Sequence, residues 1–240
     1  MTSKSFCGLL ITLVAFMFMS CLSVPSGKED NNKLTAPYKT IEVSETSDYL
    51  DTKIKYPEFE GLSDLNKRIS NTVMSNWKSF KAYSQNEWNA IAALNNRGTS
   101  KLPPFEYFVT YEVTGSREIV SVLLNTYIFN GGAHGSTTLS AFNYELSSGK
   151  YIDIQKASDM NYNEISTICR NYLYKKLIDE DKTGLPPAEK DAIRAMINTG
   201  AFPQAGNFEI YTVDGSKVYV LFEPYAVAPY SYGIQKVQIK

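Results

Sequence analysis

The residue best suited to acid–base or metal chemistry is His134, the only histidine in the chain. Imidazole titrates near neutral pH and is a frequent metal ligand, so His134 could act as a general base or bind an ion. It lies in the segment Asn130-Gly131-Gly132-Ala133-His134-Gly135, and no acidic pair stands beside it. Ser136 and Ser140 follow without the sequence context of a catalytic nucleophile. We therefore expect His134 to shape a glycine-rich turn or to contact a ligand, and valine at Gly132 to damage the fold.

The thiol of Cys169 is the next candidate for chemistry. Apolar residues recur around it at helical spacing, which predicts that Cys169 lies on the buried face of a helix and is not a nucleophile. No zinc-ligand spacing, phosphate-binding loop or paired carboxylates stand out in the sequence. We expect no metal and no cofactor.

A tyrosine-rich segment near the C-terminus is the other candidate site. Residues 223–233 contain Tyr225, Tyr230, Tyr232 and two prolines, which favour an edge or a loop over regular sheet. Such a segment can be a rigid cover on the core, or a recognition surface for sugars or proteins. We expect this loop to lie next to the glycine-rich turn, so the candidate ligand-binding residues are His134, Gly132, Tyr225, Tyr230 and Tyr232.

The N-terminus has the features of an export signal. Residues 1–20 combine Lys4 with a short apolar run, which predicts a signal peptide. Ser20-Cys21 resembles a bacterial lipidation site, so Cys21 is the predicted anchor of a cell-envelope lipoprotein, with a periplasmic or secreted protein as the alternative. Residues 21–37 are polar and predict a flexible tether. A net charge of −1 without basic clusters argues against a nucleic-acid partner, and the membrane is expected to be contacted through the lipid only.

The remaining pattern predicts an α+β fold with a mainly antiparallel sheet and packed helices. Alternating residues predict strands at 105–114, 118–129, 137–146, 208–213, 217–222 and 233–239. Helical spacing predicts a helix from Ser63 and two more at about 163–179 and 186–198, the last closed by Gly200. We divide the folded part into two intimately joined subdomains, residues 38–102 and residues 103–240.

Two stretches carry a family resemblance. Thr126 to Gly135, followed by Phe142 to Lys150, and the tail from Val220 to Gly233 resemble the C-terminal, lysozyme-binding domain of the anti-sigma-V factor RsiV. That domain belongs to an exported bacterial family of unknown function. Residues 38–125 resemble the preceding domain, which is also found in PdaC-type peptidoglycan deacetylases.

The resemblance implies a module of the cell envelope that lies outside the cytoplasm. The sequence shows no sigma-binding segment and no histidine-rich metal site, so we expect neither signalling of the RsiV kind nor deacetylation. The expected function is non-catalytic recognition of a lysozyme-like protein or of a peptidoglycan or other cell-wall glycan. The alternatives are a small envelope hydrolase that uses His134, and a structural scaffold of an envelope complex.

Overall fold

Two β-sheets and four α-helices make up the part of the chain that the structure describes. This computed structural model describes Leu34, residues 36–94 and residues 103–240. The strands are β1 (Tyr38–Thr46), β2 (Leu50–Phe59), β3 (Phe105–Gly115), β4 (Ile119–Phe129), β5 (Ser136–Glu145), β6 (Lys150–Tyr151), β7 (Tyr211–Asp214), β8 (Lys217–Phe222) and β9 (Gln235–Gln238). The helices are α1 (Ser63–Leu94), α2 (Ile154–Ser158), α3 (Tyr162–Tyr174) and α4 (Pro187–Gly200). The predicted α+β class is confirmed.

The first sheet has six strands in the order β1-β2-β3-β4-β5-β6. Neighbouring strands in this sheet are antiparallel, except that β2 and β3 run parallel. Helix α1 lies between these strands in the sequence and provides the crossover connection that parallel neighbours need. From β3 to β6 the chain forms the antiparallel meander that the alternating pattern predicts.

Helix α1 covers one face of the first sheet. Leu65, Ile69 and Val73 recur at helical spacing and are buried against the strands. On β3, Tyr107 and Val109 belong to the same core. Since successive strand residues point to opposite faces, the intervening side chains lie on the face of the sheet away from α1.

The second sheet is antiparallel, in the order β7-β8-β9, and shares a core with α3 and α4. The predicted Asp214-Gly215 hairpin joins β7 to β8, and Gly215 has the positive φ of 59° that such a turn favours. The strand predicted from Phe208 begins only at Tyr211, because Ala205–Phe208 forms a 3-10 turn that buries the Phe208 ring.

A buried polar network joins the two sheets. The Ser121 hydroxyl donates to Oδ1 of Asn143 (2.6 Å), and the Asn143 amide donates to the Tyr211 carbonyl (2.8 Å). The backbone N–H of Val213 donates to the Ser121 hydroxyl (3.1 Å). Because these groups satisfy one another, the network fixes β7 on the open face of the first sheet without leaving orphaned polar atoms there.

The described chain has two large cores, and a small third cluster joins Leu123 and Leu139 of the first sheet to Leu221 of the second. The boundary between the two large cores falls near residue 150 in the sequence. One core runs from Leu50 to Tyr144 and the other from Ile154 to Ile239. The division predicted after residue 102 stays a prediction, and strands from both sides of it pair in the first sheet. The predicted signal peptide, Cys21 and most of the predicted tether lie outside the described residues. Leu34 and Ala36, at the end of that tether, pack against the first core.

Gly200 has a different role from the one that the sequence predicts. It is the last residue of α4 and is not in the left-handed region, so it does not close the helix as a C-terminal glycine. A Cβ at this position would lie 1.9 Å from the carbonyl oxygen of Ala226. The glycine therefore allows the tyrosine-rich loop to approach the end of α4.

Candidate functional site

The glycine-rich turn after β4 is constrained at Gly131 and Gly135. Gly131 has a φ of 83°, which favours glycine. Gly135 is buried, and a Cβ there would lie 2.3 Å from Cζ of Tyr127. At Gly132 the nearest atom to a Cβ would be Asn130 Oδ1, at 3.6 Å, which is an ordinary contact. The space around Gly132 does not support the expectation that valine there damages the fold, which stays a prediction, whereas Gly135 has no room for a side chain.

His134 is exposed and stacks on Tyr230 of the tyrosine-rich loop. The ring centroids are 4.3 Å apart with 24° between the planes. The Gly135 carbonyl accepts two hydrogen bonds, from His134 Nδ1 (2.8 Å) and from the Tyr230 hydroxyl (2.9 Å). The prediction that the turn and the loop are neighbours is confirmed.

Tyr225 adds a third ring in an unusual backbone conformation. Residues Glu223 to Ala226 form a turn closed by a 3.0 Å hydrogen bond from the Ala226 N–H to the Glu223 carbonyl. Pro224 is its second residue, and Tyr225, the third, has a φ of 71°. These are the features of a type II turn, whose third position favours glycine. The Tyr225 ring is 58% exposed and its centroid is 5.6 Å from that of Tyr230.

We call the three rings of His134, Tyr225 and Tyr230 the aromatic corner. Two contacts hold its loop in place. The carboxylate of Glu223 accepts a hydrogen bond from the Leu139 N–H of β5 (2.5 Å), and the Ala226 carbonyl lies against Gly200. The corner is thus a supported surface feature that combines two segments, joined by a hydrogen bond between residues 95 positions apart in sequence.

The other predicted site residues are not part of the corner. Tyr232 is partly buried and packs against the second core, so it supports the loop. Gly132 is exposed in the turn and contributes no ring. Gly135 and Tyr127 were not predicted as site residues, and their contact couples the corner to β4. The only signal in the sequence was the presence of glycines beside His134. It did not show which of these glycines packs closely against another residue.

Cys169 lies in the core and is not one of the residues of the aromatic corner. It is fully buried in α3, as the helical spacing predicts, and burial raises the pKa of its thiol to about 12. The nucleophilic form of cysteine is the thiolate, so this thiol is inert at physiological pH.

The corner has the chemistry of a contact surface. Among the described residues, no group of three or more His, Cys, Asp and Glu side chains could hold a metal ion. The imidazole of His134 donates from Nδ1 to a backbone carbonyl, and its face lies on a phenol ring. Exposed aromatic rings that carry polar groups supply apolar contact area and hydrogen bonds together.

The packing of Gly135 leads to a prediction. Alanine at Gly135 should displace the Tyr127 ring and lower the free energy of unfolding by about 2 kcal/mol, as overpacking does. Alanine at Gly132 is the matched control and should change it by less than about 0.5 kcal/mol. Urea unfolding of both variants measures the difference. Equal effects of the two substitutions would contradict the packing described for Gly135.

The fold and the site define an α+β domain with an exposed aromatic corner beside its larger sheet. Residues 43–137 match the family model described as "Deacetylase PdaC", and residues 153–240 match the model described as "Protein of unknown function (DUF3298)". The residues between the two matches include the boundary, in sequence, between the first core and the second. No helix in the described ranges has the length and apolar character needed to cross a membrane.

Two known proteins are similar to this chain, one in sequence and one in structure. The peptidoglycan-N-acetylmuramic acid deacetylase PdaC of Bacillus subtilis (strain 168) is 28% identical over 141 residues, which are 56% of this chain and 27% of that protein. The crystal structure of a DUF3298 family protein from Pseudomonas aeruginosa PAO1 aligns with a TM-score of 0.57 and 16% identity. That alignment covers 88% of this chain and 92% of that chain. The predicted resemblance to the PdaC-type domain is confirmed, and the structural likeness supports the fold.

Proposed function

We propose that this protein is a non-catalytic binding module of the bacterial cell envelope, and that the aromatic corner is its ligand site. The observation that carries the proposal is the cluster of the three rings, in which His134 stacks on Tyr230 and Tyr225 lies tilted against Tyr230. These rings are exposed or half-exposed, although each could contribute more to stability in a core. The relative from Bacillus subtilis acts on peptidoglycan, and the resemblance to the lysozyme-binding domain of RsiV points to the same compartment. The ligand is a cell-wall glycan or a protein met at the cell surface.

The position of Tyr225 supports recognition over a purely structural role. A bulky side chain with positive φ costs roughly 1 to 2 kcal/mol relative to a relaxed backbone. Its ring is largely exposed, so little of this cost is recovered by burial. Strain retained without a packing benefit is a feature of functional sites.

Binding measurements on variants of the corner test the proposal. We expect His134→Ala and Tyr230→Ala each to weaken binding of soluble peptidoglycan fragments or of lysozyme by about tenfold, the effect of losing one aromatic contact. The control is Tyr172→Ala, because Tyr172 is also exposed, at 41%, and lies on α3. Unchanged affinity in both corner variants would contradict the proposal. Hydrolysis of the fragments that disappears in His134→Ala would favour the hydrolase instead.

We also propose that the protein is exported and anchored through a lipid on Cys21. The support is the apolar run of residues 1–20 and the Ser20-Cys21 junction. Metabolic labelling with a fatty acid should mark the natural chain and leave Cys21→Ala unlabelled. Equal labelling of both proteins would show that Cys21 is not the anchor.

A further inference from the structure

The first sheet has a line of side chains that leads away from the aromatic corner. Strand register places Lys53 opposite Phe108, Phe108 opposite Tyr127 and Tyr127 opposite Thr137. All four lie on the face away from α1, since Tyr107 and Val109 occupy the other face. The Phe108 and Tyr127 rings are nearly parallel, at 16°, with centroids 6.0 Å apart. Neighbouring strands are about 4.8 Å apart, so the line from Lys53 to Thr137 spans roughly 14 Å.

The line is continuous with the corner. Gly135 packs against the far end of the Tyr127 ring, and its carbonyl accepts the hydrogen bond from Tyr230. Burial, the Glu106 carboxylate and the nearby Tyr230 hydroxyl together raise the pKa of Tyr127. The rings from Tyr225 to Phe108 therefore form one aromatic track that crosses the strands.

The charges beside the track are balanced within the sheet. The ammonium of Lys53 lies over the Phe108 ring, 5.0 Å from its centroid, and pairs with Asp51 at 3.2 Å. Lys55, two residues along β2, pairs with Glu42 at 2.9 Å. Glu106 adds a carboxylate on the same face of β3. A polyanion would gain little here, so the surface suits an uncharged ligand.

We propose that the ligand of the corner is an uncharged glycan chain that runs from the corner across the sheet along the aromatic track. This inference rests on the proposed function. Sugar rings have apolar faces that pack on aromatic rings and hydroxyls that bond to polar neighbours, and the side chains flanking the track, Thr110, Asn125 and Thr137, are polar. A protein interface of standard size covers about 800 Å² on each partner in a broad patch, whereas this track is about one ring wide.

Calorimetric titration with uncharged N-acetylglucosamine oligosaccharides, from the dimer to the hexamer, tests the proposal. We expect affinity to rise with chain length. Phe108→Ala should weaken hexamer binding by about tenfold and dimer binding by less than about threefold, because a dimer seated on the corner does not reach Phe108. Phe108→Tyr should keep the natural affinity. The control is Tyr172→Ala, which removes an exposed ring on α3 that is not part of the track and should leave the affinity unchanged.

The outcomes separate this inference from the function on which it rests. Affinity that is independent of chain length, or unchanged in Phe108→Ala while His134→Ala weakens binding, overturns the track and leaves the corner as a binding site. Binding of lysozyme without binding of any oligosaccharide overturns the proposal of a glycan ligand and favours a protein ligand. Binding that no corner variant weakens overturns both proposals. Thermal unfolding of each variant shows whether a loss of affinity is a loss of fold.

Discussion

Alanine at Gly200 should destabilise the protein by about 3 kcal/mol, at the upper end of overpacking effects. Glycine is normally the poorer helix former by about 1 kcal/mol, so helix propensity alone predicts the opposite sign. Packing dominates here because the new Cβ would lie 1.9 Å from the Ala226 carbonyl oxygen and 2.8 Å from Cγ1 of Val227. The backbone of the tyrosine-rich loop would have to move, and the aromatic corner with it.

Thermal unfolding measures this effect. For a domain of this size, a loss of about 3 kcal/mol corresponds to a fall in Tm of roughly 6 to 12 °C. Gly206→Ala is the matched control, because no atom lies within 4 Å of a Cβ at that position and its φ is ordinary. It should leave Tm nearly unchanged. A Tm of Gly200→Ala equal to or above that of the natural protein would show that α4 and the loop do not pack as described.

Glycine at Tyr225 should weaken ligand binding strongly while leaving the protein as stable as before. The ring provides contact area to a ligand, so its loss should weaken binding by at least about tenfold. The backbone at Tyr225 has a φ of 71°, which glycine adopts without strain. Released strain thus offsets the lost contact with Tyr230, and the free energy of unfolding should stay within about 1 kcal/mol of the natural value.

Tyr225→Ala is the control that separates the effect of losing the ring from the effect of relieving the backbone strain. It also lacks the ring but keeps the strained conformation, so it should bind as weakly as Tyr225→Gly and be less stable by about 1 kcal/mol. Urea unfolding and calorimetric titration on the same samples give both quantities. A glycine variant that is less stable than the alanine variant would show that the turn is not strained at this position.

Local patterns predicted most of the elements. Alternation along residues 105–129 defined β3 and β4, Asp214-Gly215 defined the hairpin, and the spacing around Cys169 placed its thiol in the core. The contact between the glycine-rich turn and the tyrosine-rich loop was also predictable. Both interrupt regular sheet at the ends of apolar strands, and irregular segments at neighbouring strand ends tend to meet.

The details that define the site depend on contacts that no local sequence pattern predicts. The position of Lys53 over Phe108, at the end of the aromatic track, needs the parallel register of β2 with β3, which pairs residues on either side of α1 and has no local signal. The roles of Gly135 and Gly200 are set by Tyr127 and Ala226, which are not their sequence neighbours. Tyr230 and Tyr232 lie in the same short segment and look equivalent in the sequence. Tyr232 nevertheless packs against the second core, because it lies two residues further along a 3-10 turn.

The most direct test of the aromatic corner as a binding site is a map of backbone amide chemical shifts in the labelled protein. The protein is titrated with uncharged N-acetylglucosamine oligosaccharides and, separately, with lysozyme. We expect one of these ligands to shift the amides of His134, Gly135, Tyr225 and Tyr230 together, in a saturable manner and with a single affinity. Saturable shifts confined to another surface, such as the side of α3 around Thr167 and Tyr172, would contradict the assignment of the corner as the ligand site.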